Sequence, residues 1–224
     1  LNLPKGLSEI EVRAKFLELA RKNRTDLAVF RGAGVYNHYI PALVPQIVSR
    51  SEFYTAYTPY QAEMSQGMLQ ATIEYQTYIA RLTGMDVSNA SVYDGATAAA
   101  EAVDMMYIIA RKKKNTVYLS CALHPDVIRT VKTYAHCRDI EVKYLPVDVK
   151  TGKTDFSGIT DDSFGVIMQS PNFYGVIEDM KGAASAAHEK GVLFTAYVNP
   201  ITLGYMTRPG DYDADIAIGD GQPI

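Results

Sequence analysis

At 224 residues, 47% hydrophobic and 21% charged, the chain has ordinary globular composition and ample apolar material for a core. A formal net charge of -3 excludes a globally basic surface of the kind that holds nucleic acid or an anionic membrane, and no apolar run approaches the roughly 18 residues a membrane span needs. Cys121 and Cys137 form no CxxC and offer neither a disulfide framework nor a metal site, which points to a reducing, cytoplasmic setting.

The start at Leu1 carries neither an initiator Met nor a signal-peptide pattern, and the end at Gln222, Pro223 and Ile224 follows directly on an apolar segment. A piece of a longer product, cut at both ends, is expected. Ser8 and Glu11 are spaced as a capping box, so a helix should run from there to about Arg21. Residues 31–66 are rich in Gly, Pro, Tyr, Ser and Thr without a clean period and read as an ordered loop region. Ser65 is placed to cap a second helix, with Leu69, Ile73, Gln76, Ile79 and Leu82 on one stripe and Gly84 as its stop. A third, Ala-rich helix is expected over 96–113, with Val103, Met106 and Ile109 inward. Lys112, Lys113 and Lys114 would close it, where cations suit the helix dipole.

From there the pattern alternates. Strands are predicted at 117–121, 141–147, 164–169, 192–198 and 215–218, and helices at 126–135 and 180–190. Short apolar strands separated by helices imply βαβ units and a mainly parallel sheet flanked by helices. The expected division is an N-terminal helix with a Tyr-rich loop region over 1–66, then an α/β domain over 67–224.

Three segments carry chemistry. In residues 53–61, Tyr54, Tyr57 and Tyr60 recur every third residue, and Pro59 forbids a regular helix interior. Such a loop either lines a small polar pocket or packs a subunit interface, because tyrosine suits both. Residues 93–101, with Asp94, Gly95, Ala96 and Thr97 opening a helix, resemble an anion cup, since free N–H groups at a helix start bind phosphate. Asp94 argues against a ligand there; as a plain N-cap it takes the same field a phosphate would take. Residues 169–175 end an apolar strand, where ligand loops sit, yet Pro171, Asn172 and Gly175 read most simply as a turn. His38, His124, His136 and His188 show no metal-ligand spacing, so no metal site is expected.

Several stretches together resemble one family. They are residues 30–41 (FRGAGVYNHYIP), 51–61 (SEFYTAYTPYQ), 82–86 (LTGMD), 93–97 (YDGAT), 169–175 (QSPNFYG) and 219–222 (GDGQ). The family is glycine decarboxylase, the P-protein of the glycine cleavage system, in its separate-subunit form. Arg31 and Asn199 depart from its pattern. The resemblance implies the large domain of type I pyridoxal-phosphate enzymes. It also implies a reaction in which the cofactor decarboxylates glycine and the aminomethyl group passes to the lipoyl arm of the H-protein.

In the two-subunit form the first subunit carries these motifs without a cofactor lysine, and a homologous second subunit holds pyridoxal phosphate. This chain fits the first. Schiff-base chemistry needs a lysine, yet none follows Lys190, and Gln222 lies in the segment where one is expected. No Asp or Glu lies within 192–198 to face a pyridine nitrogen. Asp94, Gly95, Ala96, Thr97 and Gln222 are therefore the candidates for a degenerate cofactor site. Tyr57, Thr58, Tyr60 and Gln61 are candidates for orienting substrate across a subunit interface. Two other readings stay open: a self-sufficient type I pyridoxal-phosphate enzyme cut before its lysine, and a non-enzymatic interaction protein on a retired enzyme fold.

Overall fold

The computed structural model describes residues 2–28, 30, 37–55 and 58–224. The chain forms two compact units, Leu1–Tyr36 and Asn37–Ile224, and the division expected at residue 66 falls inside the second. In the first unit, α1 (Glu9–Ala20) begins as the spacing predicts. Glu11 N–H reaches Ser8 Oγ at 3.4 Å, and Ser8 N–H donates to the Glu11 carboxylate at 2.8 Å.

The second unit opens with two short helices, α2 (Leu43–Val48) and α3 (Ser51–Tyr54), in the region expected to be loop throughout. Neither buries a residue, which is why no apolar period marks them in the sequence. Helix α4 (Gln66–Thr83) follows, ended by Gly84 at φ 72 as expected. Ser65 holds its cap position without a side-chain hydrogen bond, against expectation. The α4 stripe is only partly covered, with Ile73 exposed.

Helix α5 (Gly95–Ile109) is shorter than predicted. Arg111 and Lys112 turn to φ 54 and 56, so the lysine run lies beyond the helix. Ile109 faces out, because the buried stripe through Ala99, Val103 and Met106 continues at Ala110, four residues on.

Five parallel strands follow: β1 (Thr116–Ser120), β2 (Glu141–Leu145), β3 (Ser163–Ser170), β4 (Leu193–Val198) and β5 (Ile216–Gly219), in the order β2-β1-β3-β4-β5. Helix α6 (Pro125–His136) joins α5 on one face, over Val117, Leu119, Phe164 and Ile167. Helix α7 (Met180–Glu189) covers the other, over Val166, Met168, Phe194 and Ala196. Strand residues alternate between these two cores, as a period of two requires. β1 and β3 are buried nearly end to end, as parallel strands covered on both faces should be. Contact across the α5 face is close: a Cβ on Gly165 of β3 would collide with Met106.

Two 3-10 turns, Pro200–Gly204 and Pro209–Tyr212, connect β4 to β5. They also anchor α4. Arg208 donates to the Arg81 carbonyl at 3.2 Å, and Gly210 presses on the Gly84 carbonyl so closely that no Cβ fits. Among the described residues no helix is long and apolar enough to cross a membrane.

Candidate functional site

Parallel sheets bind ligands at the C-terminal ends of their strands. Two polar clusters lie at that edge here. The first is at the start of α5, which meets the ends of β4 and β5. Asp94 caps the helix: Thr97 N–H donates to Asp94 Oδ1 at 2.7 Å, and Asp94 N–H donates to Thr97 Oγ1 at 3.0 Å. The Thr97 amide, and after it the Thr97 hydroxyl, holds the Asp94 carboxyl below the usual carboxylate range. Gly95 N–H points to Asp220 Oδ2 at 3.4 Å, and Asp220 Oδ1 accepts from Gln222 N–H at 3.0 Å.

Above Gly95 stands the Tyr197 hydroxyl, so close that a Cβ there would collide with it. Burial first, then the charges of Asp220 and Asp94, push the Tyr197 phenol up to about 12. On the α4 side of Asp220 the free space is a cleft of about 90 Å³ lined by Tyr75, Ile79, Leu82 and Gly219. Small-molecule sites typically occupy ~300–1,000 Å³.

The structure thus brings Asp94, Gly95, Ala96, Thr97 and Gln222 to one place, as a set the sequence suggested, and adds Tyr197 and Asp220. Both additions had a signal. Tyr197 shares strand parity with Thr195, whose hydroxyl touches Met106 of α5 at 3.3 Å, so both face that helix. Asp220 sits between two glycines just past an apolar strand, at the ligand edge.

The second cluster is buried at the ends of β1 and β3. Glu178, 7% exposed, accepts at Oε1 from Thr154 N–H (3.1 Å), Thr154 Oγ1 (2.8 Å) and Asn172 Nδ2 (2.8 Å), and Oε2 shares the Thr154 N–H at 3.0 Å. Thr154 spends its one hydroxyl proton on Glu178, so in the 2.6 Å contact with Ser120 the serine donates. Asn172 Oδ1 in turn accepts from Tyr174 N–H and Val176 N–H, making residues 172–176 a closed turn with Gly175 at φ 79. The segment 169–175 is thus a turn, and its asparagine serves a buried carboxylate. A cleft of about 610 Å³ opens beside it, lined in part by Ser170, Glu178, Lys181, Tyr205 and Tyr212. His124, after β1, lies edge-on to Phe173 with ring centroids 5.2 Å apart. Among the described residues no His, Cys, Asp and Glu cluster could hold a metal.

The Tyr-rich loop stands apart. Tyr57 lies outside the described residues. Thr58, Tyr60 and Gln61 are exposed, and among the described residues no side-chain hydrogen bond, ion pair or ring contact ties them to the α5 cup. From Asn37 to Met64 no described residue is buried, although Tyr39, Leu43, Val48, Tyr54 and Met64 are large and apolar.

Two bacterial relatives described as glycine dehydrogenase (decarboxylating) subunit 1 match the whole chain. The one from Endomicrobium trichonymphae is 47% identical with 51% of its length covered, and the one from Geobacillus kaustophilus is 48% identical with 50% covered. The chain spans about half the length of these relatives. A crystal structure of glycine decarboxylase (P-protein) of the glycine cleavage system, in inhibitor-bound form, superposes at TM-score 0.89 and 41% identity over 99% of this chain and 50% of that one. A NifS-like protein at 17% identity and TM-score 0.64 shares the fold alone, that of the type I pyridoxal-phosphate enzymes. The family model for the glycine cleavage system P-protein matches residues 1–224, and the chain belongs to that family.

Proposed function

We propose that this chain is the cofactor-free half of a cytoplasmic glycine decarboxylase, working with a homologous subunit that carries pyridoxal phosphate. Bound there, the cofactor supplies the electron sink that lets carbon dioxide leave glycine. The aminomethyl group then goes to the lipoyl arm of the H-protein. Relatives described as subunit 1 of a glycine dehydrogenase support the reading. The observation that carries it is the α5 cup. A phosphate needs free amides and a positive field, whereas here Asp94 and Asp220 supply two carboxylates and Tyr197 a covering phenol. The residues present do not fit the cofactor. Gln222 stands after β5, and no lysine lies between Lys190 and Ile224.

This chain's contribution to the reaction is then positional. Thr58, Tyr60 and Gln61 offer a hydroxyl, a phenol and an amide on one exposed, proline-stiffened loop, and Tyr57 adds a second phenol. As donors to the glycine carboxylate they would hold the breaking bond in line with the partner's cofactor, where misplacement of about an ångström costs on the order of 100-fold. The uncovered apolar surface over 37–64 is the matching interface. On this reading the loop carrying Thr58, Tyr60 and Gln61 reaches the partner and the α/β domain over 67–224 supports it.

The test is to mix the purified chain with pyridoxal phosphate, alone and with its partner, and record the spectrum before and after borohydride. A reduced, lysine-linked adduct is expected on the partner. The same adduct on this chain overturns the reading.

A further inference from the structure

We propose that Asp220 is a built-in anion: with Asp94 it occupies the phosphate-binding amides at the start of α5, and it pins the segment after β5 to that helix. This rests on the reading of the chain as the cofactor-free subunit and names what replaces the ligand.

A helix start leaves four backbone N–H groups without intrahelical acceptors, apart from what the cap supplies. In α5 three of the four have hydrogen-bond acceptors. Asp94 N–H donates to Thr97 Oγ1 at 3.0 Å. Thr97 N–H is taken by Asp94 Oδ1 at 2.7 Å, and Ala96 N–H lies in the field of the same carboxylate. The remaining donor, Gly95 N–H, is beyond the reach of a local cap. It is met by Asp220, 125 residues later in the chain. Two carboxylates thus cover the donors on which a phosphate would sit, and their charge repels a dianion from the same field.

Asp220 bridges two elements. One oxygen faces the α5 amide and the other accepts Gln222 N–H, so the turn carrying Gln222 is tied back to the helix. Tyr197 completes the plug from β4, with its hydroxyl in the field of both carboxylates. Gly95 is required beneath it, because any side chain would meet that hydroxyl. Where a cofactor would organise helix, strand end and following turn, this chain uses its own side chains.

The experiment uses the full chain assembled with its cofactor-loaded partner, and inorganic phosphate as the probe, titrated by calorimetry and phosphorus NMR. Asp94→Ser/Asp220→Ser is expected to bind phosphate at least tenfold more tightly than the unsubstituted complex. Asp94→Ser alone is expected to gain less, because Asp220 still holds Gly95. Asp220→Asn keeps the shape and drops the charge; hydrogen exchange over residues 95–97 and 219–222 should then quicken. Equal phosphate affinity in the unsubstituted complex and the folded double variant overturns the proposal. If the double variant does not fold, unchanged exchange in Asp220→Asn overturns it. Neither result bears on which subunit forms the borohydride-reducible adduct, so the two readings fail separately.

Discussion

Replacing Glu178 tests whether the buried network at the ends of β1 and β3 holds the ligand edge together. In Glu178→Ala three donors lose their acceptor: both of Thr154, and one N–H of Asn172, whose Nδ2 keeps the Gly152 carbonyl at 2.9 Å. A buried donor left unmet costs about 1–3 kcal/mol. The adjoining cleft of about 610 Å³ admits water that recovers part of this, so the loss should be about 3–5 kcal/mol. At ~2–4 °C per kcal/mol for a domain of this size, the melting temperature should fall roughly 6–20 °C. Glu178→Gln separates charge from connectivity. Its carbonyl oxygen can keep the three donors on Oε1, and only the Thr154 N–H shared with Oε2 meets an amide nitrogen. About 1–2 kcal/mol should go. Urea unfolding followed by circular dichroism reads both as a midpoint shift at constant slope. If alanine costs less than about 1 kcal/mol, or glutamine costs as much as alanine, the network is not what joins these loops.

Three further outcomes follow from other contacts. Asp94→Ala should cost about 1 kcal/mol as a lost N-cap. Because the Asp94 carboxyl is held below its ordinary range, its contribution is complete above the unfolded carboxylate pKa and is lost as pH falls through the lower folded value. The gap between Asp94→Ala and the parent should therefore close on acidification, and a gap that widens would contradict the cap. Gly210→Ala should lose about 2–4 kcal/mol in the same unfolding assay, since its Cβ meets backbone at Gly84 that cannot turn aside. In the assembled enzyme, Tyr60→Phe and Gln61→Ala should lower glycine decarboxylation about 10- to 100-fold with assembly and cofactor content intact. Activity that returns at high subunit concentration would mean the loop only packs the interface, and normal turnover in both would refute the orienting role.

The α/β frame was legible because burial writes itself into sequence. Every strand from β1 to β5 lies within about two residues of its predicted bounds; in β1 and β3, buried nearly end to end, positions covered on both faces admit mainly apolar residues. Legibility failed where neither burial nor a cap marks the element, whereas α1 buries nothing and was readable from its capping box. Helices α2 and α3 bury nothing and carry no period, so they read as loop. The end of α5 was overrun because Arg111 and the lysines after it favour helix, while the turn that closes the core at Ala110 selects left-handed backbone.

The site divides along a different line, between local and long-range acceptors. Asp94 was readable as a cap because donor and acceptor lie three residues apart, within one helical turn. Asp220 was readable as a residue at the ligand edge but not as an acceptor for α5, because the Gly95 amide it meets lies 125 residues away in the chain, and only the crossing of α5 over β4 and β5 brings them together. Glu178 was hidden for the same reason: its donors come from Thr154 and Asn172, on two connections that share no pattern. A motif match records that residues 93–97 and 219–222 occur together, and the fold supplies the cause. One segment provides amides that a phosphate would need, and the other supplies the anion that keeps a phosphate away. That division is what the proposed reading requires, of a chain whose exposed loop serves a partner's chemistry while two of its own carboxylates fill the cup at α5.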